Sequence, residues 1–485
     1  MNKLKIIATK EKSVINTPCT SFLKIIVGPS SSHTFGPYLI GKSIRKKLED
    51  FDGKIEGIKV HFYNSMSKTG VGHFADFAII GGLLSVELSE LTKSKDLLGK
   101  NNGNLNIPNK NVIFDISRDL LFHKGEHPDK HENGIGLTIN SGLENEQTFN
   151  WKSIGGGVID PPYQVVNYEL LPPSFQIENW MKFKYNANKF DGPIIGYILG
   201  RDEELKPEVN HMHYMRIVYK AMIRSVEHGL ALKETMLPGN IISTQAHWQL
   251  YHNKRNNDQT FSLAGIYARA AAENSANCGE IVTAPTAGGG GVLPGIIAAM
   301  KEKSFVKKDK NGIAERKLIQ SLFLAGLVGQ IFQKNTTVAG AVGGCTFEVG
   351  VGAAMAAAAS LYAHLEDTAK PKQKAFNLDL IETTMMNVFE KWIGRPCDPV
   401  GGRVEIPCIQ RNSDAAEDVR KVVSIALQRP AYLAPLLGFD RMIAYAYELG
   451  KTLPSRYRET SEGGIATLLI KSPYSKRNPN QNNEE

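Results

Sequence analysis

The sequence predicts an α+β N-terminal domain followed by an all-α helical-bundle C-terminal domain. Up to about residue 160, short alternating segments are broken by turn clusters; from about Lys206 onward, long segments of helical period rich in small residues take over. At 485 residues, and with about 150 residues per domain as the guide, roughly two to four domains are expected. The boundaries read as 1–160 for the α+β domain, 161–205 for a linker, 206–470 for the all-α domain and 471–485 for a disordered polar tail.

Taken in order, Ile58–Tyr63 (IKVHFY) alternates apolar and polar residues as a half-buried strand does. Asn101–Asn111 is an Asn-rich loop, and Val112–Ile116 and Ile135–Ile139 read as further strands. Asp160–Asn188, rich in Pro, Tyr and Asn with weak periodicity, reads as an interdomain connection. Helical spacing then covers Tyr214–Leu232, Phe261–Ala276, Leu318–Lys334, Val351–Ala363 and Leu378–Trp392. The Ala-rich run GAAMAAAASLYA at 352–363 suits a buried helix in close contact with its neighbours.

Charge and composition exclude several classes. The net charge is 57 − 49 = +8 and the pI about 9.0. A nucleic-acid binder would carry a basic stripe with interleaved aromatics, and none is present; the densest run, Lys301 to Lys317, reads as a solvated connection. No run of about eighteen apolar residues suggests a membrane span. The charged N-terminus, MNKLKIIATKEK, lacks the apolar core of a secretory signal, so a cytoplasmic location is expected. In that reducing compartment the five cysteines, Cys19, Cys278, Cys345, Cys397 and Cys408, are expected as thiols available to metal or catalysis.

Several segments carry residues suited to chemistry. In RPCDPVGGRVEIPCIQRN at 395–412, Cys397 and Cys408 each follow a proline and flank Gly401–Gly402, a turn able to bring both sulfurs to one side. Cys345 lies in GAVGGCTFEVG at 340–350, where glycines let backbone approach a bulky inorganic group. Spacing alone leaves these three as cluster ligands or as ordinary buried thiols. GPSSSHTFG at 28–36 offers consecutive hydroxyls and free N–H groups at a helix start, suited to a carboxylate, or simply a Ser-rich cap with a surface histidine. KTGVGHFAD at 68–76 frames His73, a candidate acid–base group or a structural loop histidine. His131-Glu132-Asn133-Gly134 reads as a turn, and the Gly-rich loops at 153–157 and 283–291 permit close approach to a ligand. The latter lacks the Lys-Ser/Thr of a phosphate loop.

Together these segments resemble the iron–sulfur L-serine dehydratases, in order and through nearly the whole chain. The matching stretches are GPSSSHT at 28–34, KTGVGH at 68–73, HENG at 131–134, SIGGG at 153–157, LPG at 237–239 and VTAPT at 282–286. They continue with GCTFEVGVGAAMAAA at 344–358, CDPVGGRVEIPCIQRN at 397–412 and YRETSEGGIA at 457–466. The resemblance implies a 4Fe-4S cluster on Cys345, Cys397 and Cys408 with one iron open, and no pyridoxal phosphate. It implies β-elimination of water from L-serine to give pyruvate and ammonium. His73 or His33 would take the α-proton, and Ser30, Ser31, Ser32, Thr34 and Asn133 would bind the substrate. The partners implied are a small amino acid and a second copy of the chain in a homo-oligomer (dimer).

This chain departs from the family pattern at Val71 and Ala75, at Gln245 and Ala246 in place of an Arg pair, at Ala287 in place of Asn, and at Phe347. The stretch from Cys345 to Cys397 is longer, with a polar insertion near Lys370–Lys374, and no cysteine follows Cys408. These changes raise a second expectation, the same chemistry on a larger or less polar β-hydroxy amino acid. A non-catalytic iron–sulfur sensor is a third reading, opposed by the retention of both histidine motifs beside all three thiols.

Overall fold

The computed structural model describes residues 14–123, 128, 130–142, 146–163, 171–256, 262–302, 312–428 and 437–470. The N-terminal stretch read as lacking a signal, most of the 301–317 connection, and the tail at 471–485 lie outside those residues.

An α/β region precedes a predominantly helical one, as the patterning predicts. In the first, five strands lie side by side in the order Leu120–Phe122, Gly57–Phe62, Gly134–Asn140, Glu146–Gly155 and Val158–Asp160. Gly57–Phe62 pairs in parallel with Leu120–Phe122 and antiparallel with Gly134–Asn140, setting Val60 opposite Leu137 and Phe62 opposite Ile135. The alternation read from IKVHFY is the cause: Ile58, Val60 and Phe62 are buried while Lys59 and His61 face outward. Helices Gly36–Glu49 and Ala75–Leu84 cover the buried face. They cross at Gly41 and Gly82, where a Cβ would come within 2.4 Å of the Ile79 carbonyl and 2.2 Å of the Tyr38 carbonyl.

The strand expected at Val112–Ile116 does not form. Ile113 makes only an isolated bridge to Asn104, and Ile116–Asp119 is a turn of helix capped by Asp115. The side chain of Asp115 accepts from the Ser117 N–H and so competes with strand pairing.

The helical region is built around Val349–His364, whose alanines let Ile313–Asn335, Pro371–Phe389 and Cys408–Gln428 pack closely against it. With the preceding turn, Cys345–His364 is long and apolar enough to cross a membrane, but 94% of its most apolar window is buried inside the protein. The helices expected at 214–232, 261–276, 318–334, 351–363 and 378–392 appear as His211–Ala231, Leu263–Ala276, Ile313–Asn335, Val349–His364 and Pro371–Phe389.

Two segments belong to the helical core against expectation. Within 161–205, read as a linker, Trp180–Lys189 and Ile194–Leu205 are helices whose Trp180, Phe183, Tyr197 and Ile198 are buried there. Their buried residues follow a helical period, Trp180, Phe183 and Ala187 in the first and Ile194, Ile198, Arg201 and Leu205 in the second, which the Pro-, Tyr- and Asn-rich composition before them obscures. Ile15, Cys19, Phe22 and Ile26, read as part of the first domain, also pack in that core. The strand Ile25–Val27 pairs antiparallel with Glu280–Val282. From Ile15 the described chain packs on the helical body, and it crosses to the sheet region through Gly28–Phe35, the Ser-rich loop.

Candidate active site

That crossing loop opens the site. Ser30 caps the following turn by accepting the His33 N–H at 3.0 Å, and Ser31–Phe35 leads directly into Gly36–Glu49. The Thr34 hydroxyl accepts the Ser30 N–H and donates to the His73 carbonyl at 2.6 Å, tying the Ser-rich loop to the His73 loop. The His73 loop in turn locks onto the cysteine loop: a Cβ on Gly72 would lie 2.3 Å from the Gly402 carbonyl oxygen. Only glycine permits that approach.

The three cysteines come from separate elements. Cys345 follows Gly344, whose φ of +76° turns the chain, and its N–H donates to the Arg395 carbonyl at 2.9 Å. Cys397 is bonded on both sides to the C-terminal segment, donating to Tyr457 and accepting from Glu459, each at 2.8 Å. Cys408 begins Cys408–Gln428, where the helix dipole favours a thiolate.

One small buried pocket is walled by Ser30, His73, Gly288, Cys345, Glu348, Val349, Cys397, Pro399, Val404, Cys408 and Glu459. The sequence-selected thiols, His73 and Ser30 thus meet at one place. His33 does not reach the wall: its Nδ1 lies 2.8 Å from Ser32 Oγ and 3.1 Å from Glu459 Oε1, and its Nε2 is 3.1 Å from Ser65 Oγ. Since the Ser65 hydroxyl donates to the Glu459 carbonyl, it accepts from His33 Nε2–H. Ser32 also donates to Glu459 at 3.3 Å. Ser31 and Asn133 are buried behind the wall, with Asn133 Nδ2 donating to the Ser153 carbonyl.

The electrostatics separate the two histidines, whose ring centroids are 4.9 Å apart. Burial, and then the neighbouring His33, lower His73 to about 3, so it is a neutral imidazole at ordinary pH. Its Nδ1 has no hydrogen-bond partner among the described residues. Burial raises Glu459, but His33 and His73 outweigh it and hold the carboxyl below its usual range.

Burial pushes the Cys345 thiol up to about 11, and raises Cys397 and Cys408 further as the crowded thiols and Glu348 oppose one another's ionisation. Arg411, held by the Pro396 carbonyl and Asp398, is the cation that acts on all three. Buried thiols with mutually unfavourable charges suit a cationic inorganic group that takes them as thiolates. Backbone also comes close to them, since a Cβ on Gly340 would stand 2.5 Å from Glu348 Oε2 and 3.2 Å from Cys397 Sγ. The residues therefore fit an iron–sulfur group.

Glu348, Glu459, Arg411 and Ser65 were not singled out from the sequence. The first three lie inside the quoted motifs, and an acid next to a cysteine-bearing glycine loop was a usable signal; Ser65 carried none. The departures from the family pattern lie off the wall. Val71 is exposed, Phe347 packs inward against Tyr447, and the Gln245 and Ala246 N–H groups donate to Glu273 at a helix start. None of these residues lines the wall, though Ala287 and Phe347 each precede one that does, Gly288 and Glu348.

A buried pocket of three thiols, an imidazole and two carboxylates, built where a sheet region meets a helical body, has the donor set of a metal centre beside an acid–base group. The family model for the serine dehydratase alpha chain matches residues 132–466, and that for the beta chain matches 19–162. L-serine dehydratase TdcG of Escherichia coli (strain K12) is 30% identical over 472 residues, spanning 92% of this chain and 98% of that protein. L-serine dehydratase of Haemophilus influenzae is 31% identical over 478 residues, spanning 92% and 98%, and that of Helicobacter pylori (strain J99) is 30% identical over 467, spanning 93% and 98%. This chain belongs to the iron–sulfur L-serine dehydratase family and is an enzyme, a lyase.

Proposed function

We propose that this protein eliminates water from L-serine, giving pyruvate and ammonium. The reading rests on one observation above all: Ser30, His73 and the three cysteines wall a single buried pocket. Relatives named L-serine dehydratase support the substrate. The residues that would hold a 4Fe-4S cluster are Cys345, Cys397 and Cys408, leaving one iron without a cysteine. When bound, the cluster supplies a Lewis acid for the substrate hydroxyl.

In this reading His73, neutral and unpartnered at Nδ1, takes the α-proton. The Cα–H electron pair forms the Cα–Cβ double bond as the Cβ–O bond breaks, and the departing hydroxide takes the proton back from His73, so that water leaves and the base is restored. The resulting enamine tautomerises to an imine that hydrolyses to pyruvate and ammonium. Glu459, close to both rings, balances the imidazolium formed at His73. Ser30 contacts the amino acid, while Ser32 and Thr34 keep its loop in shape.

The test is pyruvate formation by protein purified without oxygen and assayed on L-serine. Turnover is expected; a preparation holding about four irons per chain that makes no pyruvate from serine would refute the proposal.

A further inference from the structure

An α-amino acid carries a permanent carboxylate, yet no lysine or arginine stands on the pocket wall. The nearby cations are mostly committed. Arg411 is bonded to Asp398, Lys68 to Glu462, and Lys24 to the carbonyls of Gly156 and Gly157. Arg403 is different. Among the described residues its guanidinium makes neither hydrogen bond nor ion pair, and its one ring contact sets Cζ 5.7 Å from the centre of Phe74.

Three features aim this cation at the pocket. Arg403 immediately precedes Val404, which lines the wall. Phe74 immediately follows His73, and its φ of +60° is in the left-handed region that residues with side chains rarely adopt. That turn brings its ring to the guanidinium of Arg403. Finally, the charge of Arg403 acts on His73, as it also does on Glu405 and Cys278 off the wall. Guanidinium stacked on an aromatic face keeps its N–H fork available for a carboxylate.

We propose that Arg403 is a substrate-binding residue that receives the α-carboxylate of the amino acid, with Phe74 as the platform that orients it. This rests on the amino-acid lyase reading above. It supplies the charge that the serine hydroxyls lack, and it ties carboxylate binding to the same loop that holds the base.

Wild type, Arg403→Gln and Arg403→Lys, purified with cluster, would be compared on L-serine, with L-alanine and L-alaninamide as unreactive inhibitors. A charge-assisted contact to bound substrate predicts a KM about ten- to a hundredfold higher in Arg403→Gln, with kcat changed much less. Arg403→Lys should recover part of the loss. Wild type should bind L-alanine more tightly than L-alaninamide, and Arg403→Gln should bind the two alike. A serine KM within twofold of wild type in Arg403→Gln, or undiminished discrimination between acid and amide, overturns the assignment. If wild type fails to convert serine, the reaction reading falls, and Arg403 is still judged by calorimetric binding of L-alanine against L-alaninamide, which needs no turnover.

Discussion

The N–H of Glu459 donates to the carbonyl of Cys397 at 2.8 Å, and this bond carries the last motif of the chain to its central cysteine. The Tyr457 carbonyl accepts the Cys397 N–H in return, making a short parallel pairing of Cys397 with Arg458. One consequence is that the Glu459 carboxylate arrives 3.1 Å from His33. Cys397 and His33 are therefore joined through Glu459.

Changing Cys345, Cys397 or Cys408 singly to Ala should abolish iron binding and its visible absorption. Cys19→Ala and Cys278→Ala should retain both, because neither residue lines the pocket. Iron content and the absorption spectrum of anaerobic protein measure this. A Cys397→Ala protein with full iron would show that the ligands lie elsewhere.

Gly340→Ala should lower iron content while leaving the helical fold intact. The added methyl would meet Glu348 Oε2 and Cys397 Sγ at 2.5 and 3.2 Å, and the backbone there is not strained for alanine. Circular dichroism together with iron analysis checks it; normal iron content would mean that the cradle yields easily.

His73→Ala should reduce kcat by about a hundred- to ten-thousand-fold, the usual worth of a general base, with iron content unchanged. The same residue predicts a pH effect. Its value in the fold is about 3 against 6.5 for a free histidine. Between those values the unfolded chain binds a proton that the folded chain does not. Stability therefore falls as pH drops through that window, and the contribution is constant above it. Melting temperature against pH should be flatter for His73→Ala than for wild type, and identical slopes would contradict the assignment.

Trp180→Ala should destabilise the protein by about 3–5 kcal/mol, as large-to-small changes of buried aromatics do. Trp180 is fully buried against Phe183 and Phe439, inside a stretch whose sequence reads as a connection. Denaturant titration measures it. A loss under about 1 kcal/mol would place that helix at the margin of the core.

Much of the architecture is local and was readable. The period of IKVHFY places Ile58, Val60 and Phe62 inward whatever lies opposite, and the Ala-rich run at 352–363 forms a helix wherever it is buried. Motif order was enough to indicate the family, the three thiols and the two histidines as candidates. Other features depend on partners distant in sequence. Trp180–Lys189 buries Trp180, Phe183, Asn186 and Ala187 on one face, but that period is short and set among polar and proline-rich neighbours, and its packing partners are as remote as Phe439. Val112–Ile116 has strand composition, yet Asp115 bonds locally and it pairs with no strand.

The different surroundings of the two histidines also came only from packing. Residue type makes His33 and His73 equivalent as bases, and each sits in a loop of small residues. Folding brings Ser65 to one nitrogen of His33 and Glu459 to the other, while His73 keeps an unpartnered nitrogen and a place on the pocket wall. Local sequence can specify which groups a loop offers, because capping and turn geometry act over a few residues. Which of them meets the substrate depends on contacts made across 427 residues, as between Ser32 and Glu459, and only the folded chain holds those in register.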